Sequence, residues 1–240
     1  MNTSLSIIIP ALNEEHTLPG LLKMLGNRAD YEIILVDGGS TDATCLLAEG
    51  AHCITISSPP GRSLQMNLGA QAASGEVLLF LHADTKLPEN FLQLIQNAIQ
   101  QPHFAAGAFS LKIEGDSKRL ALIARFANLR SRYLRLPYGD QAIFLWRTTF
   151  LKNGGFPKIE IMEDFVFIKN LRKTGAIITL PEPVTTSARR WQNMGILRTT
   201  LINQLIIFGF YLGIQPVKLA SFYKRIRGIQ KTAPNTTHSG

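Results

Sequence analysis

No acidic residue follows Glu182 in this chain of 240 residues. Cysteine is almost missing as well, with two residues, Cys45 and Cys53. Two thiols make no disulfide framework, and no Cys/His cluster has zinc-site spacing. No apolar run reaches the roughly 18 residues that a bilayer span needs. The longest, Leu201 to Ile214, is interrupted by Asn203 and Gln204. Neither a GxGxxG turn nor a Walker loop occurs, so neither of those phosphate fingerprints applies. The start, Met1-Asn2-Thr3-Ser4, has no basic segment leading into an apolar run. That sets the expectation of a cytoplasmic protein, or one at the cytoplasmic face of a membrane.

What is present is enough to build a core. Hydrophobic residues make up 45% of the chain, with 19 Gly and 12 Pro, which excludes a disordered or collagen-like polymer. The net charge of +8 is unevenly placed. Met1 to Glu182 carries 17 Lys+Arg and 17 Asp+Glu, and the remainder carries 8 Lys+Arg alone. The excess therefore lies in the last quarter, where it suits an anionic membrane surface, an anionic ligand or nucleic acid. No aromatic-rich RNA motif or recognition helix accompanies it, so no nucleic-acid partner is expected.

Hydrophobic patterning alternates between two periods. Leu5–Pro10, Tyr31–Asp37, Ala51–Ile56 and Glu76–His82 are short apolar runs ending at turn residues, which predicts strands. Leu18, Leu21, Leu22 and Leu25 follow helical spacing, as do Phe91, Leu94, Ile95, Ala98 and Ile99. The alternation predicts an α/β fold, a mostly parallel sheet flanked by helices. Beyond it, strands are expected at Ala105–Ile113, Ala142–Trp146 and Ala176–Leu180. Helices are expected at Arg119–Tyr133, Ile161–Lys173, Trp191–Ile214 and from Pro216 to Arg227. The expected organisation is a domain over residues 1–188, a C-terminal helical extension over 189–231 and a disordered tail over 232–240.

Polar clusters sit at the ends of the predicted strands, the edge where such sheets bind ligands. Asp37, followed by Gly38 and Gly39, can accept hydrogen bonds from a base or ribose. Equally, the segment reads as a turn with Ser40 or Thr41 capping the next helix. Asp84 follows a buried run and suits a hard divalent ion on phosphates; it also reads as the cap of a helix starting near Pro88. His82 reads best as a core histidine. Glu163 and Asp164 are adjacent on a helix, about 100° apart, so one can face a pocket and the other solvent. On the residues alone, the preferred explanation of their placement at a helix N-terminus is stabilisation by the macrodipole. Arg189-Arg190-Trp191 offers a bidentate phosphate donor beside a flat indole, or a solvated basic helix start.

Seven stretches, in this order, resemble the inverting glycosyltransferases of family 2, which have the GT-A fold. They are Ser6-Ile-Ile-Ile-Pro-Ala-Leu-Asn-Glu-Glu15, Val36-Asp-Gly-Gly-Ser-Thr-Asp42, Gly61-Arg-Ser-Leu-Gln-Met-Asn-Leu-Gly69, Leu81-His-Ala-Asp-Thr85, Gly139-Asp-Gln141, Met162-Glu-Asp164 and Arg190-Trp191. The GRxxQMN, LHADT and GDQ stretches are most similar to the stand-alone radical-SAM/selenodomain-associated transferases. The resemblance implies that Pro10, Ala11, Asn13 and Glu14 line a nucleotide pocket and that Asp37, with Gly38, holds the base, usually uracil. It places Arg62, Asn67 and Ala83 near the nucleotide-sugar and makes Asp84 the ligand of a divalent cation, Mn or Mg. Asp140, Gln141 and Glu163 fall near the acceptor or donor sugar, and Asp164 matches the general base. Arg190 and Trp191 match the end of the family's QxxRW motif.

Three positions depart from the family pattern. Gly38 replaces the second acid of VDDGS, His82 the first acid of the DxD motif, and Ser187 the Gln of QxxRW. The last favours transfer of one sugar over polymerisation. The implied activity is a metal-dependent, hexosyltransferase-like transfer from a nucleotide-sugar, a UDP-sugar by resemblance, to a hydroxyl on a lipid or other amphipathic acceptor. The Leu205–Leu212 run is apolar all round, hence buried or at a lipid surface as a peripheral membrane contact. Gly38 and His82 keep open a non-catalytic nucleotide-sugar-binding protein. A sugar nucleotidyltransferase fits less well, because PALNEE stands where a glycine-rich loop with Arg belongs.

Overall fold

The computed structural model describes residues 3–26, 29–189, 191 and 195–226, without the side chains of Leu197 and Lys224. It divides into two compact units, residues 1–188 and 189–240.

The first unit is built on one eight-stranded sheet. Its strands are β1 (Leu5–Ala11), β2 (Tyr31–Asp37), β3 (Ile54–Ser57), β4 (Val77–Phe80), β5 (Thr85–Lys86), β6 (Phe104–Ile113), β7 (Phe144–Trp146) and β8 (Ala176–Thr186). They lie in the order β3-β2-β1-β4-β7-β6-β8-β5. The first four run parallel, β7 is antiparallel to both β4 and β6, and β8 is parallel to β6. The chain steps outward from β1 to β3, then returns to place β4 on the other side of β1. Strand order thus reverses between β1 and β4, opening a crevice at their carboxyl ends.

The parallel strands read as continuous apolar runs because both of their faces are covered; Ile7, Ile8, Ile9, Ile34, Leu35 and Val36 are all buried. The flanking helices are α1 (Leu18–Leu25), α2 (Thr44–Gly50), α3 (Arg62–Ala72), α4 (Phe91–Ile99), α5 (Lys118–Leu134), α6 (Arg147–Lys152) and α7 (Glu163–Leu171). A knot of Phe80, Phe150, Phe156 and Phe167 pins α6 and α7 against β4, with ring centroids 4.7–5.4 Å apart. Such pairs are worth about 0.5–1.5 kcal/mol each beyond their buried area.

Several boundaries differ from the sequence expectation. Strand β3 starts at Ile54, because Ala51 closes α2. Strand β8 runs past Leu180 to Thr186 despite Pro181 and Pro183. The register jumps from Phe109↔Leu180 to Ser110↔Pro183, so a bulge absorbs the proline that would otherwise remove a ladder hydrogen bond. Helix α3 had no periodic apolar signal; its buried side is Ser63, Gln65, Met66, Gly69 and Ala70. A Cβ at Gly69 would stand 2.5 Å from Ile8 Cγ2, so glycine lets α3 approach β1.

The second unit contains α8 (Ile196–Tyr211) and α9 (Pro216–Ile226). Gly209 of α8 lies against Leu219 and Ile214. Trp191 is helical, as expected, and a separate helix starts at Ile196 after Gly195, which has φ +81°; residues 192–194 and 227–240 are outside the described residues. Leu201, Leu205, Phe208, Tyr211 and Leu212 are exposed. Among the described residues no helix is long and apolar enough to cross a membrane.

Candidate active site

The carboxyl ends of β1 and β2 are joined by their own polar groups. Register pairs Ala11 with Asp37. The buried Asp37 carboxylate accepts the Gly39 N–H at 3.0 Å and the Ser40 N–H at 3.0 and 3.2 Å. Burial pushes the Asp37 carboxyl up, but the Ser40 and Gly39 donors outweigh it, and the net shift is downward. Asn13 has φ +55°, a left-handed conformation that asparagine tolerates. Its N–H donates to Ser40 Oγ at 2.9 Å and its Oδ1 accepts the Thr41 N–H at 2.9 Å. The Glu14 N–H donates to Thr44 Oγ1 at 2.8 Å, and Pro10 lies opposite Val36. Neither Ser40 nor Thr41 caps α2. The Thr44 N–H is received by Asp42 Oδ1 at 3.0 Å.

Helix α3 links this end of the crevice to the other acids. Gln65 is buried, and its Nε2 donates to the carbonyls of Ala11 and Val36, both at 2.8 Å. The sequence reading assigned Gln65 no role, although the three-residue step from Arg62 puts both on one helix face. Gln65 also accounts for Gly38. A Cβ there would meet Gln65 Nε2 at 3.0 Å. Gly38→Ala is therefore expected to cost about 1–3 kcal/mol in urea unfolding, as overpacking does. In a Gln65→Ala background part of that cost should vanish; strict additivity would show that the two do not crowd each other.

One turn before Gln65, Arg62 reaches the start of α7. Its Nε donates to Glu163 Oε1, and its Nη2 lies 3.7 Å from Asp164 Oδ2. Glu163 and Asp164 are 2% and 8% exposed. Both acids are buried, so the expectation that one faces solvent is corrected; the guanidinium compensates both. Burial first, then the Asp164 charge, raises the Glu163 carboxyl against the pull of Arg62. Burial lowers the Arg62 guanidinium, and Glu163 and Asp164 more than reverse that. Met162, at φ +68°, turns the chain sharply into α7, at a cost of order 1–3 kcal/mol for a non-glycine residue.

Asp164 is held from two sides. Oδ2 accepts the Gly139 N–H and Oδ1 the Phe165 N–H, each at 2.7 Å. Gly139 opens a 3-10 turn, Gly139–Gln141, anchored by the buried Gln141. The Gln141 Nε2 donates to the Phe109 carbonyl at 2.9 Å, and its Oε1 accepts from Arg130 at 3.3 Å. Asp140 is close enough to act on the Arg62 charge. A Cβ placed on Gly139 would lie 3.1 Å from Asp164 Oδ2 and 3.4 Å from His82 Nε2. His82, at the end of β4, is thus half-buried beside the acids rather than part of the core.

Asp84 is half-buried two residues further on. It does not cap a helix near Pro88, since α4 starts at Phe91 behind Asn90. Ala83 beside it is buried. Among the described residues no three His, Cys, Asp or Glu form a metal cage. A single carboxylate at a strand end suits Mg²⁺ or Mn²⁺ only as one oxygen donor beside substrate phosphates, which is how these ions are commonly held. Asn67 is occupied elsewhere: its Nδ2 donates to the Phe156 carbonyl at 2.8 Å and its Oδ1 accepts the Phe156 N–H at 2.9 Å. Trp191 lies in the second unit, and Arg190 lies outside the described residues.

Comparison with known proteins agrees with this architecture. The family model for glycosyl transferase family 2 matches residues 6–155. The undecaprenyl-phosphate 4-deoxy-4-formamido-L-arabinose transferase of Pseudomonas fluorescens is 38% identical over 107 residues, which is 39% of this chain and 32% of that protein. The matched stretch thus spans about a third of that relative. The mannosyltransferase PcManGT from Pyrobaculum calidifontis, in complex with GDP-Man and Mn²⁺, superposes with a TM-score of 0.64 at 16% identity, covering 84% of this chain and 64% of that one. S. aureus TarS residues 1–349, in complex with UDP, gives a TM-score of 0.60 at 22% identity over 77% of this chain and 60% of the other. At these identities the two structures bear on the fold alone.

Proposed function

The chain belongs to glycosyl transferase family 2, and from that membership we propose that it moves a single sugar, with inversion, from a nucleotide-sugar to a hydroxyl on a lipid or other amphipathic acceptor. The observation that carries the reading is the run of polar groups along one sheet edge, from Asp37 through Gln65 and Arg62 to Asp164, Gly139 and His82. A nucleoside diphosphate-sugar laid along that edge has its base at Asp37 and its anomeric carbon toward Asp164. The UDP preference and the place in the radical-SAM/selenodomain-associated group rest on sequence resemblance. The lipid-like acceptor draws support from the undecaprenyl-phosphate named in the relative and from the basic, apolar second unit, which suits the cytoplasmic face of a membrane.

In the proposed reaction Asp164 takes the proton of the acceptor hydroxyl as that oxygen attacks the anomeric carbon. The bond from that carbon to the diphosphate breaks on the opposite side, and the configuration inverts once. Two backbone N–H donors hold the carboxylate in place, so little reorganisation is needed. Arg62 keeps Glu163 and Asp164 from repelling each other. A divalent cation, held by Asp84 and the donor's phosphates, would neutralise charge on the leaving diphosphate.

The test is a screen of UDP-, GDP- and dTDP-sugars with Mn²⁺ or Mg²⁺, read as nucleoside diphosphate release with a short polyprenol or glycolipid acceptor. Acceptor-dependent release from one donor is expected. Tight donor binding with no release from any donor would favour the non-catalytic binding protein that Gly38 and His82 leave open.

A further inference from the structure

Helix α5 has two apolar faces, and only one of them is used by the fold. Leu120, Ala124 and Ser131 are buried toward the sheet. Asn128 clamps the helix to β6 by accepting the Leu111 N–H at 2.6 Å and donating to the Leu111 carbonyl at 2.9 Å. On the opposite side Leu122, Phe126, Leu129 and Tyr133 are 51, 63, 41 and 74% exposed. At about 100° per residue these four fall in one stripe about 60° wide, centred opposite the buried face. Lys118 and Arg125 border it on one flank and Arg119 on the other, with Arg132 just beyond Arg125. No acidic residue occurs anywhere in α5.

A row of large apolar side chains flanked on both sides by cations is the pattern of a helix lying in a membrane interface. The long basic side chains can lay their stems along the stripe and lift their charges to headgroup level. A second copy of the chain fits poorly, because it would set one row of cations against another. The stripe is narrow and lies on a convex helix, which suits a fluid surface better than a shaped protein partner.

We propose that α5 is a membrane-docking helix, which seats Leu122, Phe126, Leu129 and Tyr133 at the acyl boundary of an anionic bilayer while Lys118, Arg119, Arg125 and Arg132 meet its phosphates. The helix is tied to the candidate site. Arg130 stacks over the Tyr138 ring at 3.3 Å and donates to Gln141 of the turn that holds Asp164. Docking by α5 thus fixes the orientation of that turn relative to the membrane, from which an amphipathic acceptor presents its head. This deepens the lipid-acceptor reading but does not need turnover.

The experiment uses the full chain and vesicles of phosphatidylcholine with or without phosphatidylglycerol. The unaltered protein should sediment with the anionic vesicles, less so at high salt. Phe126→Ser with Tyr133→Ser, both on the exposed face, should weaken binding at least about tenfold. Arg125→Gln with Arg132→Gln should weaken it about 25-fold on anionic vesicles only, at about fivefold per basic residue. Fluorescence of Phe126→Trp, corrected for Trp146 and Trp191, should be quenched by brominated lipid. Vesicle binding without nucleotide release would count against the transferase and leave this surface standing. Serine variants that sediment like the unaltered chain, as they would if the second unit alone bound lipid, overturn the proposal. So does an unquenched Phe126→Trp, or a dimer in solution that the serine pair dissociates.

Discussion

Asp164→Asn is expected to lower sugar transfer by about 10²–10⁴-fold, the usual contribution of a positioned general base, with nucleotide affinity unchanged. The separation is physical. Asp164 is bound to the backbone of Gly139 and Phe165, whereas the proposed donor pose puts the base at Asp37. Asparagine keeps the shape and loses the basic oxygen. It also has only one acceptor for two N–H donors, so one donor is left unmet at about 1–3 kcal/mol. A melting curve and a UDP titration on the same protein separate the causes. Lost transfer with both retained assigns proton removal to Asp164. Normal transfer removes that residue from the mechanism.

Arg62→Met should destabilise the fold by about 3 kcal/mol at neutral pH. That is the low end for breaking a buried ion pair, chosen because the Arg62 side chain is 37% exposed and partly screened. The expected fall in melting temperature is about 6–12 °C. The loss must depend on pH with a definite sign. Burial already raises the Glu163 carboxyl above its ordinary 4.5, and removing the guanidinium raises it further. A group with a raised folded value binds its proton more tightly when folded. Its favourable contribution is complete below the unfolded value and disappears as pH rises through the folded one. The deficit of Arg62→Met should thus be small near pH 4 and grow toward pH 7, and Glu163→Gln should recover part of it. Melting curves across that range that show a constant deficit would falsify the assignment of Arg62 as counter-charge to the two acids.

Much of the sheet was legible because parallel strands buried on both faces announce themselves. The runs around Ile7–Ile9 and Ile33–Val36 can hardly be anything else, and α1 and α4 carry clean amphipathic spacing. Helix α3 carried no such signal, since its inward side is filled by Gln65, Ser63 and Gly69 and its purpose is polar and close-packed. The second half of β8 was hidden by Pro181 and Pro183, which end a strand in isolation and do not when a bulge accommodates them. The candidate residues were legible as motifs. Their partnerships were not: nothing local says that Arg62 meets Glu163, 101 positions away, or that Gln141 is a buried anchor while Asn67 serves the Phe156 backbone.

By itself the sequence determined the class of fold, the strand ends that carry polar groups and the family to which the chain belongs, because these follow from local periodicity and short ordered motifs. Only the tertiary structure decided how both acids at the start of α7 could be buried, since a charge is tolerated there only when a distant helix delivers its counter-charge. It alone separated the two apolar faces of α5, because helical spacing marks where apolar side chains point and is silent on which face the sheet will cover.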